Sequence, residues 1–183
     1  MSGHPPGGPD AGGPAPLAVV DVHYAGRGGR AACVVARGWA DAVPIEVREH
    51  VTAEVADYVP GRFYERELPP VLGVLERLST AVRAIVVDGY VVLDEDGTPG
   101  LGAHLHRHFD GRYTVIGVAK RRYRSSTVAV PVRRGRSRQP LFVTALGLPH
   151  EVAAALVAGM HGEHRIPTLL ALADRRARGL SFN

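Results

Sequence analysis

The chain has 183 residues, of which 45% are hydrophobic and 22% charged, with a formal net charge of +4. This composition excludes global disorder, suffices for one domain with a sizeable core, and contains no apolar run near the roughly 18 residues that span a bilayer. The mild positive excess suits a polyanionic partner, and the one cysteine, Cys33, lies in an apolar run and cannot form an internal disulfide.

Residues 1–16 are rich in glycine and proline and lack the basic start and apolar stretch of a signal peptide. They are expected to form a disordered tail on a cytoplasmic protein, with residues 17–183 as one folded domain. Residues 17–24 read as a first strand, and Gly26-Arg27-Gly28-Gly29-Arg30 as a turn. Residues 31–39 and 43–51 read as second and third strands, with Pro44 at an entry position. Apolar residues then recur at helical spacing across residues 62–80. Pro69 and Pro70 predict that the regular helix starts near them, which puts Glu67 at or near its N-terminus.

Ala84-Ile85-Val86-Val87-Asp88-Gly89 runs four apolar residues into an aspartate and a glycine, the pattern of a strand buried on both faces. An acid at the exit of such a strand sits at the sheet edge where open α/β folds bind ligands. Asp94-Glu95-Asp96-Gly97 reads as a turn, residues 100–108 as a short helix and residues 114–118 as another buried strand. Residues 127–132 and 140–144 read as a hairpin, and two helices follow, one from Pro149 to about residue 160 and one over residues 168–178. Three antiparallel strands followed by alternating helices and strands predict an α/β fold with a mixed β-sheet flanked by helices.

Asp21, Glu67 and Asp88 come from three elements that such a sheet can bring together. Carboxylates suit Mg²⁺ or Mn²⁺, which prefer hard oxygen ligands. Taken singly, Asp21 and Asp88 favour capping or solvation over metal binding, and Glu67 suits the positive end of a helix. Lys120 is the only lysine in a chain otherwise supplied with arginine. Arg121, Arg122, Arg124, Arg133, Arg134, Arg136 and Arg138 cluster after it, which favours phosphate contact over a merely soluble loop. His104, His106 and His108 alternate along one segment and read as a solvated face.

Several ordered pieces carry a resemblance. They are Asp21-Val22-x-Tyr24, Tyr58-Val59-Pro60-Gly61, Arg66-Glu67, Val87-Asp88-Gly89, Ile116-Gly117-Val118-Ala119-Lys120, Arg165-Ile166-Pro167 and Leu172-Ala173-Asp174-Arg175. Together, over residues 19–174, the chain resembles the endonuclease V family. The resemblance implies a ribonuclease H-like fold and metal-dependent cleavage at the second phosphodiester 3′ to deoxyinosine or inosine, in DNA repair. It implies Mg²⁺, with Mn²⁺ as a substitute, held by Asp21, Glu67 and Asp88. His150 is expected to assist near the attacking water, and Lys120 to lie near the scissile phosphate. Tyr58, Pro60 and Gly61 match a strand-separating wedge, and Gly89 is expected beside the pocket for the flipped base. Arg121 and Arg122 are expected on the nucleic acid. The implied partner is inosine-containing DNA, with RNA as the alternative, and the implied assembly a monomer.

The chain departs from the family directly after Gly89. Where the family continues G-x-x-H-P-R-x-x-G-x-A-S-H-L-G, this chain reads Tyr90-Val91-Val92-Leu93-Asp94-Glu95-Asp96-Gly97-Thr98-Pro99-Gly100. The departure keeps two other readings open: a binding module of the same fold without efficient catalysis, and a related nuclease with another lesion substrate.

Overall fold

The structure is a computed structural model and describes residues 13–57 and 63–180. Seven strands form one sheet in the order β3-β2-β1-β4-β5-β7-β6. They are β1 (Leu17–Ala25), β2 (Gly28–Ala36), β3 (Glu46–Thr52), β4 (Ala84–Asp88), β5 (Thr114–Ala119), β6 (Val130–Val132) and β7 (Leu141–Leu146). β1, β4 and β5 run parallel to one another, and every other pairing is antiparallel. Four helices flank the sheet: α1 (Phe63–Leu75), α2 (Leu101–His108), α3 (His150–Ala158) and α4 (Thr168–Ala177). This is the mixed α/β architecture expected from the sequence.

The alternation of side chains along a strand explains why the central strands are apolar throughout. Leu17 and Val19 of β1 and Val86 of β4 join a core that includes Val157 of α3 and Leu169 and Ala173 of α4. Ala18, Val20, Ile85 and Val87 point the other way, into a second core with Val71 and Val74 of α1 and Leu105 of α2. Cys33 is buried in this second core, as its apolar run predicts.

Several boundaries differ from the sequence reading, among them the start of β2 at Gly28, inside the segment read as a turn, and the start of β6 at Val130. β2 ends at Ala36, so Trp39 lies beyond it, where its indole Nε1 donates to the Pro14 carbonyl at 3.2 Å. β3 starts at Glu46, beyond the loop that carries Pro44. α1 starts at Phe63, so Pro69 and Pro70 fall inside it and Glu67 sits in its second turn. Each proline lacks the N–H that an interior helical residue donates. The helix survives because Tyr64, Leu68, Val71, Leu72 and Val74 all pack into the second core, and tertiary packing outweighs local propensity.

Two connections fix the segments that frame the sheet edge. Glu46 accepts from the Ser79 and Thr80 backbone N–H groups, each at 2.8 Å, and pairs with Arg48 at 3.0 Å, which ties β3 to the link between α1 and β4. At the other link, Gly117 of β5 lets the chain after β4 lie against the strand. A Cβ there would meet the Gly89 carbonyl oxygen at 2.5 Å and the Val91 nitrogen at 2.7 Å.

Candidate active site

The register of the parallel strands sets the site. Val20 pairs with Val87 at the end of the β1–β4 ladder, so the next residue on each strand is an aspartate, Asp21 and Asp88. Asp88 pairs with Val118 of β5, and Lys120 follows two residues later. Lys120 Nζ donates to Asp88 Oδ2 at 2.5 Å. Asp21 Oδ1 accepts from the Val22 N–H at 2.8 Å. Glu67 approaches from α1, close enough that its charge is coupled to both Asp21 and Asp88.

Two cavities meet at Asp88. One, of about 200 Å³, is lined by Asp21, Asp88 and Lys120 with Asp174 and Arg175 of α4. The other, of about 420 Å³, is lined by Glu67, Asp88 and Gly89, by Tyr64, Tyr90 and Tyr123, and by Leu93, Pro99, Gly100 and Leu101. Gly89 has φ +140°, a backbone conformation that side-chain-bearing residues rarely adopt.

The electrostatics are those of buried acids short of positive charge. Burial, then the neighbouring Asp88 charge, raises Asp21 to about 7. Burial, then Asp88 and Asp21, raises Glu67 to about 8. Burial works against the Lys120 ammonium, but Asp88, Asp21 and Asp174 outweigh it and hold its pKa above the ordinary lysine value. Among the described residues, no three acidic, histidine or cysteine side chains are gathered closely enough to enclose a metal ion. The donor chemistry nevertheless fits a hard divalent cation: three carboxylates, two of them desolvated and raised by neighbouring acids, with the Lys120 ammonium on Asp88 and the Arg66 charge near Glu67.

The expected site residues divide into three groups. Asp21, Glu67, Asp88, Lys120 and Gly89 are brought together. Tyr58, Pro60 and Gly61 lie outside the described residues. His150 is placed elsewhere: its ring nitrogens face the Val128 carbonyl at 3.2 Å and the Ala145 carbonyl at 3.1 Å. Ala145 pairs with Ile116, and Ile116 with Val86, so this carbonyl lies two strands across from β4 and two residues short of the level of Asp88. His150 lines neither cavity at Asp88, so it is not placed with the carboxylates.

The basic cluster also divides. Arg121 is exposed, while the exposed Arg122 bonds the Ser126 carbonyl at 2.9 Å and lies over the Phe142 ring. Arg134 is only 6% exposed, so it does not join a phosphate-facing surface. It donates to the carbonyls of Ala158, Met160, Gly162 and His164, and so caps the link between α3 and α4. Three site residues had no role in the sequence reading. Asp174 stood in a motif piece without one, and Tyr64 and Tyr123 carried no signal beyond being aromatic.

A model of endonuclease V matches residues 10–156. Among solved structures, endonuclease V from Streptomyces avermitilis is 29% identical, with a TM-score of 0.73 over 95% of this chain and 83% of that one. Human endonuclease V shares the fold at 22% identity, with a TM-score of 0.73 over 89% and 82% of the two chains. So does endonuclease V from Ciona intestinalis, solved with a 24mer DNA containing an inosine followed by a ribo-adenosine, at 18% identity and a TM-score of 0.75 over 89% and 84%. No curated protein matches the sequence. The extent of the family match, with the carboxylates at the ends of β1 and β4, makes this chain a member of the endonuclease V family, and hence a nuclease.

Proposed function

We propose that the protein is a Mg²⁺- or Mn²⁺-dependent endonuclease that cleaves at the second phosphodiester 3′ to deoxyinosine or inosine, in cytoplasmic DNA repair. The observation that carries the reading is the meeting of Asp21, Glu67, Asp88 and Lys120 beside a cavity walled by tyrosine rings. The inosine-containing DNA bound by the Ciona intestinalis neighbour supports the substrate class.

Asp21, Glu67 and Asp88 would hold the divalent ion. Such an ion supplies Lewis-acid stabilisation of the charge that builds on a phosphodiester during cleavage. The Lys120 ammonium adds a second positive charge at the same edge and orients Asp88 through their ion pair. Asp174 adds a carboxylate from α4 to the lining of the smaller cavity. The larger cavity takes a base turned out of the strand, with Tyr123 and the Tyr64 ring, itself backed by His104, offering faces for stacking. An inosine that pairs poorly costs less to turn out than a well-paired base. Exposed Arg121 and Arg122 meet the flanking phosphates.

The test is a set of matched strands carrying deoxyinosine, inosine, a mismatch or no lesion, each with and without Mg²⁺ or Mn²⁺. The expected result is metal-dependent product on the inosine strands alone, abolished by Asp88→Ala with binding partly retained. Equal cutting of the unmodified strand would refute lesion specificity. Tight binding with no product would favour a binding module, a reading motivated by the chain's departure from the family after Gly89.

A further inference from the structure

The segment in which this chain departs from its family is stapled to the loop that follows Lys120. The Tyr90 hydroxyl donates to the Arg121 carbonyl at 2.9 Å and accepts from the Tyr123 N–H at 3.0 Å. Its ring lies 6.1 Å from that of Tyr123, tilted by 59°. A second staple stands further along: Glu95 Oε1 accepts from both the N–H and the hydroxyl of Thr127.

The backbone at Tyr90 is itself held on three sides. A Cβ on Gly100 would meet the Tyr90 carbonyl oxygen at 2.4 Å, and one on Gly117 would meet the Tyr90 carbonyl carbon at 3.0 Å. The next N–H, of Val91, donates to the buried Thr144 hydroxyl at 2.9 Å. A side chain leaving so constrained a backbone points in a fixed direction, and its hydroxyl satisfies one acceptor and one donor of a loop with no ladder of its own.

From this geometry we propose that Tyr90 is a positioning residue. It pre-organises the loop from Arg121 to Thr127 as the wall of the base-sized cavity and as the phosphate-facing side of the site. The inference rests on the proposed function for its substrate. The staple holds Tyr123 against the cavity and sets where the chain leaves Lys120, whose ammonium is on Asp88. A pre-set loop meets the strand without paying the ordering cost on binding, so the hydroxyl acts on substrate affinity and leaves the chemical step alone.

Tyr90→Phe keeps the ring and removes both bonds. On a single strand carrying deoxyinosine with Mg²⁺, it should raise KM about five- to tenfold with kcat changed less than about twofold, the size expected for a net hydrogen-bond loss. Amide exchange at Tyr123 should accelerate at least about tenfold while the Tm moves little. Thr127→Val, which removes one of the two bonds to Glu95, should shift KM in the same direction by less. An unchanged KM, or a fall in kcat at constant KM, would overturn the proposal, as would unaltered exchange at Tyr123. If the wild-type protein cuts no inosine strand, the proposed function fails. The clamp is then decided by the Tyr123 exchange and by fluorescence anisotropy of the same strand, where Tyr90→Phe must weaken binding.

Discussion

Lys120 Nζ sits 2.5 Å from Asp88 Oδ2, so the only lysine in the chain is paired with the acid at the end of the central parallel strand. The ammonium therefore competes with any cation that Asp88 would ligate, while adding positive charge at the edge where the proposed substrate's phosphate would lie. Lys120→Ala should bind Mn²⁺ as tightly as the wild type or more tightly, yet lose about 10²–10³ in kcat, the range for removing one electrostatic stabiliser. Titration of Mn²⁺ by electron paramagnetic resonance alongside single-turnover cleavage separates the two effects. Weakened Mn²⁺ binding together with full activity would sink this account of the pair.

Cation uptake should release protons at neutral pH. Asp21 is held near 7 and Glu67 near 8, chiefly by burial, and only their ionised forms ligate a cation. Affinity for Mg²⁺ should thus fall as pH drops from 8 to 6, and calorimetric heats should depend on the buffer's ionisation enthalpy. Without metal, the sign for stability is fixed by the same shifts. The unfolded chain gives up the Asp21 proton near 3.8 and the folded chain keeps it to about 7, so stability falls as pH rises through that window. Asp21→Asn should raise metal-free stability by about 1–3 kcal/mol at pH 8 and change it little at pH 4. Thermal melts at the two pH values check this.

Glu46 predicts the opposite pH behaviour. Burial opposes its charge, but the Ser79 and Thr80 N–H groups and Arg48 outweigh burial and lower its pKa below the ordinary 4.5. Its contribution to stability is present above 4.5 and disappears as pH falls through the lowered folded value. Glu46→Gln should cost about 1–3 kcal/mol at pH 7 and progressively less in acid. Urea denaturation at pH 7 and at successively lower pH reads the difference, and a pH-independent penalty would contradict it.

His150 should prove dispensable for cleavage. Its ring faces the Val128 and Ala145 carbonyls and lines neither cavity at Asp88. His150→Ala should lower stability by about 1 kcal/mol through the lost bond from its ring N–H to one of the two carbonyls while changing kcat less than about twofold. A loss of kcat at unchanged stability would restore the role that the family resemblance implies for it.

Most of the fold was legible because the sheet is buried on both faces. Runs such as residues 84–87 leave little choice of structure, and the aspartate after them marks the strand end. Glu67 was read as a helix start because Pro69 and Pro70 are local breakers. What keeps α1 intact around them is packing of Leu68, Val71 and Val74 against other elements, which no local pattern encodes. Arg134 looked like its exposed neighbours because burial by four distant carbonyls leaves no trace in the local sequence. The tyrosine walls of the larger cavity were hidden for a related reason. Tyr64, Tyr90 and Tyr123 belong to three separate segments and meet only once β4, β5 and α1 have packed.

The order of the strands has a kinetic consequence. Asp21, Glu67, Asp88, Lys120 and Asp174 span most of the chain, and their meeting depends on parallel pairing between strands far apart in sequence. Closing such distant contacts is slow, and none can form before the intervening chain exists. A nascent or half-folded chain therefore lacks the assembled cluster of these side chains. Cleavage should appear in refolding only with the final, global phase.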